Sequence, residues 1–193
     1  MRARPVALVV VLGLTASLSG CLAGERRDTW RRGDGPMMVS MSSSEAEYLV
    51  EMIPHHEEAV RSATELARSP RVAMREFGED IVRTQSAQID QMREWLDAWY
   101  PDQREDTAYR PMMRDLSRLT GDALDQAFLE DMVGHHMMAV MMSQHLLVDG
   151  TSIRAEVDGL ARRISDEQRA EIRQMRRWLA TWFDQQVPGR GPG

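Results

Sequence analysis

Tyr48-Leu49-Val50-Glu51-Met52-Ile53-Pro54-His55-His56-Glu57-Glu58-Ala59-Val60 returns eighty residues later as Phe128-Leu129-Glu130-Asp131-Met132-Val133-Gly134-His135-His136-Met137-Met138-Ala139-Val140. A second match trails each copy: Gln85, Ile89, Gln91, Met92, Trp95, Leu96 and Trp99 align with Gln168, Ile172, Gln174, Met175, Trp178, Leu179 and Trp182. Two copies of one helical hairpin are the simplest source of this pattern. Leu49, Met52, His56, Ala59, Ala63 and Leu66 recur at alternating spacings of three and four, as do Leu129, Met132, His136, Ala139, Ser143 and Leu146, which is the period of an amphipathic helix. Val82, Gln85, Ile89, Met92, Leu96 and Trp99 form the stripe of the second helix, and Ile164, Gln168, Ile172, Met175, Leu179 and Trp182 that of the fourth. Pro70 permits only a short turn in the first hairpin, and Asp149-Gly150-Thr151-Ser152 gives the second its helix stop and next cap. A longer stretch from Pro101 to Thr120 joins the hairpins. The sequence therefore predicts an all-α, antiparallel four-helix bundle over residues 44–185, with helices near 44–68, 71–99, 122–148 and 153–185.

Outside the bundle, residues 1–20 carry Arg2 and Arg4, an apolar run from Val6 to Leu14, and then Leu18-Ser19-Gly20 before Cys21. This reads as an export signal, and the run is too short to span a bilayer. Leu-Ser-Gly-Cys resembles a bacterial lipobox, so Cys21 is expected to become the acylated first residue, anchoring the chain to a membrane outside the cytoplasm, either periplasmic or at the cell surface. Residues 21–43 then form a flexible tether, and residues 186–193, rich in Gly and Pro, a disordered tail. Cys21 is the only cysteine, which leaves no disulfide and no thiolate metal site; any metal must be held by His, Met or carboxylate. Loss of Arg2 and Arg4 with the leader moves the formal charge from −6 to −8, which disfavours a nucleic-acid partner.

The chemistry sits in the repeat. His56 and His136 lie on the inward stripes, where an imidazole is costly unless something satisfies it. Met52 and Met132 stand one turn earlier on the same stripes, and His55 and His135 flank them. Imidazole with thioether is a ligand set that favours Cu(I) and Ag(I) over Mg, Ca or Zn. Level counting from each turn places Gln85 and Gln168 near the histidine pairs, where a glutamine carbonyl could orient an imidazole N–H. His135, Met138, Met142 and His145 follow at spacings of three, four and three, a run of soft donors along one flank of the third helix; the first copy has His55, Glu58, Ser62 and Glu65 there. Pro54 and Gly134, at matching positions, each weaken their helix just before the His-His pair.

Inward carboxylates often house a di-iron centre in such bundles, through Glu-x-x-His pairs. None of the five histidines is preceded at that spacing by a glutamate: the residues are Met52, Ile53, Met132, Val133 and Met142. Nucleophile elbow, phosphate loop and dinucleotide fingerprint are also absent from the sequence.

Met52-Ile53-Pro54-His55-His56-Glu57-Glu58-Ala59 and Met132-Val133-Gly134-His135-His136-Met137-Met138-Ala139, each followed by Gln, Met and Trp-Leu, resemble the ferritin-like domain of unknown function family 305 over about residues 44–185. That family includes copper-binding proteins. The resemblance implies extracytoplasmic binding of Cu(I), and of Ag(I), in metal tolerance or delivery, with Met52, His55, His56, Met132, His135 and His136 as ligands. The expectation is a non-enzymatic copper protein that sequesters its ion or passes it to a partner protein, with self-association through a Trp or Met face as a further expectation. A copper- or iron-dependent redox enzyme and a metal-free interaction module of the envelope are the alternatives.

Overall fold

The computed structural model describes residues 44–103 and 109–183. Among them are four α-helices and no strand: α1 Glu45–Thr64, continued by a 3-10 turn Glu65–Arg68, then α2 Val72–Trp99, α3 Gly121–Asp149 and α4 Ala155–Trp182. The expected signal (1–20), the acylated Cys21 with its tether to residue 43, and the tail (186–193) lie outside the described residues.

Local chemistry explains the helix ends. Ser44 is extended and its hydroxyl accepts the Glu47 N–H at 3.2 Å, while Glu45 and Glu47 place negative charge at the positive end of α1. Gly150 closes α3 in the left-handed region at φ 61°, a conformation that costs glycine nothing. The Ser152 cap expected for the fourth helix is a correction. Ser152 gives its hydroxyl to Glu45 at 2.9 Å, and α4 opens at Ala155, after an extended Arg154 whose side chain makes no capping bond.

α1 pairs with α2 and α3 with α4, and the two hairpins meet through α1 and α3. Buried apolar residues fall into two clusters. One holds Tyr48, Leu49, Met52 and Ile53 of α1 with Ile89, Met92 and Leu96 of α2, Ala139, Met142 and Leu146 of α3, and Val157 to Ile164 of α4. The other holds Ala59, Ala63 and Leu66 with Met74, Ile81, Leu124 to Met132, Ile172 and Met175. The start of α1 thus shares a cluster with the end of α3, so these helices run antiparallel, and the crossover after α2 returns along the bundle before α3 begins. On every helix the change of cluster falls at buried polar residues: His55 and His56, Gln85 and Gln88, His135 and His136, Ser165 and Gln168. A polar layer therefore cuts the core at mid-height.

The turn of each hairpin clasps the open end of the other. Arg154 lies 4.4 Å over the Trp99 ring and bonds Glu45, and Arg71 lies 5.0 Å over Trp182 and bonds Asp125 at 2.7 Å. Glu45 and Asp125 are separated by the same offset as the two histidine pairs, and Arg71 and Arg154 by that of the second match, so the clasp is duplicated too. Trp95 stacks on Trp99 and Trp178 on Trp182. These tryptophans are half-buried against the two clusters.

Candidate metal centre in the polar layer

All four paired histidines are buried, none more than 2 % exposed. His55 and His135, which the helical stripe places at its flank, make the contact between the repeats: their ring centroids are 3.7 Å apart at an interplanar angle of 35°. His56 and His136 sit outside them, with centroids 6.3 and 6.2 Å from His55 and His135, and each turns toward the partner helix of its own hairpin. His56 Nε2 lies 2.9 Å from Gln88 Oε1, and Gln88 Nε2 donates to Glu167 at 2.9 Å. His136 Nε2 lies 2.5 Å from a Glu171 oxygen. Gln88 and Glu171 are again equivalent residues of the two copies.

These partners correct the expected ones. Gln85 and Gln168 are buried in the layer, but Gln85 Oε1 and both polar atoms of Gln168 have no partner; the residue one turn further along orients the imidazole. Side chains on a helix lean toward its N-terminus. In an antiparallel pair both lean, in opposite senses, so His56 meets a residue farther from the turn than level counting gives. The 3-10 turn at Glu65–Arg68 lengthens the first hairpin slightly more.

Glu58 completes the layer from the position that Met138 holds in the second copy. Its side chain is buried, its Oε2 is 3.3 Å from His135 Nε2, and it accepts Tyr109 Oη–H at 2.5 Å and the N–H groups of Met112 and Met113 at 2.8 and 2.9 Å. The crossover is thereby fastened over the histidines, with the Tyr109 ring edge-on to His55 at 6.2 Å. Burial pushes the Glu58 carboxyl up, but the bonds from His135, Tyr109 and the two amides outweigh it and bring it to about 2. Burial, reinforced by the neighbouring imidazoles, holds His55 well below its ordinary value. Desolvation, only partly opposed by Gln88, brings His56 to about 3. Desolvation likewise lowers His135, against the pull of Glu58. Those three rings are therefore neutral at ordinary pH, the state in which an imidazole nitrogen can bind a metal.

Several of their nitrogens lack any partner at full hydrogen-bond geometry: both nitrogens of His55 and of His135, and Nδ1 of His56 and His136. Orphaned buried polar atoms of this kind are rare, and a soft cation would satisfy them. Among the described residues no three His, Cys, Asp or Glu side chains gather at metal-binding spacing. Met52 and Met132 are fully buried but belong to different apolar clusters. Because α1 and α3 are antiparallel, they flank the histidine layer from opposite sides instead of lying side by side. The expected run along α3 is mixed in burial: Met142 is in the core, Met138 packs partly against it, and His145 is half-buried with Nδ1 3.2 Å from Asp149.

Several solved structures are similar to this fold, CopM with and without metal among them. CopM in its Cu(I)-bound form is similar at 30 % identity and a TM-score of 0.64, over 74 % of this chain and 99 % of CopM; CopM bound to silver by co-crystallisation matches with 30 % identity, the same coverage and a TM-score of 0.63. A DUF305 fragment from Deinococcus radiodurans is 31 % identical over 72 % of this chain and 97 % of its own, with a TM-score of 0.63. No curated protein matches the sequence. With a family model matched from residue 45 to residue 179, the chain belongs to the DUF305 family, a domain of unknown function.

Proposed function

We propose that this protein is an extracytoplasmic, lipid-anchored metal-binding protein that sequesters Cu(I), and Ag(I) likewise, or hands the ion to a partner protein, without catalysing a reaction. The observation that carries this reading is the layer of four buried imidazoles, each with at least one nitrogen lacking a partner, set between two thioethers in a buried core. Similarity to CopM, crystallised with Cu(I), Cu(II) and silver, supports the choice of ion. His55, His56, His135 and His136 with Met52 and Met132 would hold it. Soft donors in a water-poor interior favour the reduced, polarizable ion. The leader and Leu18-Ser19-Gly20-Cys21 support export and anchoring, as does similarity to a DUF305 protein of Streptomyces coelicolor described as secreted.

Titration with Cu(I) against a competing chelator tests the reading. Saturable binding is expected, weakened when Met132→Leu and His136→Ala are combined; indifference to that pair rejects the site.

A further inference from the structure

We infer that Glu171 and Glu58 act as positioning residues that fix which nitrogen of His136 and His135 receives the metal, and that they make the α3 histidines the tighter half of the site. The inference rests on the copper reading above.

A neutral imidazole carries one N–H and one lone pair, and a carboxylate can only accept. The nitrogen that faces a carboxylate must therefore carry the proton. His136 Nε2 is hydrogen-bonded to Glu171 at 2.5 Å, and His135 Nε2 lies at ion-pair distance from Glu58, 3.3 Å, short of full hydrogen-bond geometry. Glu58 is in addition fully engaged as an acceptor by Tyr109, Met112 and Met113. In the neutral form of both rings, the form a metal needs, the lone pair is left on Nδ1, and both Nδ1 atoms are buried without a partner. The first copy reaches the same tautomer by a weaker device. Gln88 presents its carbonyl to His56 Nε2 because its amide is committed to Glu167.

The two copies differ in what stands behind the rings. Glutamine at position 88 is glutamate at position 171, and Glu58 crosses from the first copy to serve His135 of the second. Both carboxylates therefore stand behind the α3 histidines, while His56 has an amide and the ring nitrogens of His55 have no hydrogen-bond partner. A carboxylate behind an imidazole raises its basicity toward a metal, and losing such a partner typically costs 10–100-fold in affinity. It also brings negative charge beside a cation held in a dry layer.

The test uses the full chain in detergent with ¹⁵N-labelled histidine. Without metal, two-bond proton–nitrogen spectra are expected to show protonated Nε2 and bare Nδ1 for His56, His135 and His136. On adding Ag(I), silver–nitrogen coupling is expected on Nδ1 of His135 and His136. Glu171→Gln, which keeps an acceptor oxygen like that of Gln88, is expected to retain the tautomer yet weaken Cu(I) binding by about 10–100-fold, and His136→Ala to weaken it more than His56→Ala. Coupling at Nε2, a protonated Nδ1 in the metal-free protein, or unchanged affinity in Glu171→Gln would each overturn the inference while leaving copper binding standing. The expected tautomers with no response to either ion would overturn the copper reading and the donor assignment together.

Discussion

Replacing Glu45 with glutamine should loosen the clasp that the first residue of α1 makes with the α3–α4 turn. One carboxylate oxygen accepts Tyr100 Oη–H at 2.6 Å and Arg154 Nη1–H at 2.9 Å; the other accepts Ser152 Oγ–H at 2.9 Å and the N–H groups of Ile153 and Arg154 at 2.8 and 2.9 Å. A carboxamide can copy only one of these oxygens, so at least two donors then face an NH₂ group, and Arg154 loses its counter-charge. Breaking a buried ion pair costs about 3–5 kcal/mol. The Glu45 side chain is 2 % exposed but that of Arg154 is 28 %, so water softens the loss toward the lower end, about 3 kcal/mol, or a fall in Tm of about 6–12 °C. Burial pushes the Glu45 carboxyl up, but the bonds from Tyr100, Ile153, Arg154 and Ser152 together hold it below its ordinary 4.5. A carboxyl lowered on folding gives its full stabilisation above the unfolded value and loses it as pH falls through the folded one. The gap between wild type and variant should thus stay constant from pH 7 to about pH 5 and narrow in more acid solution. Urea melts followed by circular dichroism at pH 7, 5 and 3 measure it. A gap below about 1 kcal/mol at pH 7, or one that does not shrink in acid, refutes the reasoning.

Two glycines should respond in opposite directions to alanine. At Gly134 an added Cβ meets nothing within 4 Å, so Gly134→Ala should raise stability by about 1 kcal/mol through helix preference alone, read as a higher urea midpoint. At Gly78 the same Cβ would lie 2.8 Å from the Ala63 carbonyl oxygen and 2.9 Å from Leu66 Cβ; overpacking of about 1–3 kcal/mol exceeds the helix gain, and the midpoint should fall. Tyr48→Phe removes the buried Tyr48–Ser143 bond of 3.0 Å and leaves Ser143 without that partner in the core, which thermal melts should register as a loss of about 1–2 kcal/mol.

The helices could be read from the sequence because their apolar stripes are long and the repeat states them twice: α2 ends at Trp99 as its stripe predicts, and α1 and α3 begin within a residue of their predicted starts. The histidines were legible for the same reason, since an imidazole on an inward stripe demands a partner. Their partners were not. Gln88 and Glu171 escape a count of levels that ignores the lean of side chains. Glu58 escapes because its partners come from the crossover, whose residues Tyr109 to Met113 carry no period from which a position can be inferred. Likewise the pairing of Glu45 with Arg154 joins residues more than a hundred positions apart, and only the completed fold brings them together.

The paired histidines at the junction of the hairpins bear on how such a chain could arise. His55 and His135 are the same residue of the two copies, so in an ancestral hairpin that associated with itself one ring would have met its own image on the symmetry axis. A group on such an axis must complement itself, and a neutral imidazole, at once donor and acceptor, is among the few side chains that can. Fusion of two genes frees each copy from that constraint. The divergence of Gln88 from Glu171, and of Glu58 from Met138, is the kind of asymmetry that becomes available to a covalent dimer and is denied to a symmetric one.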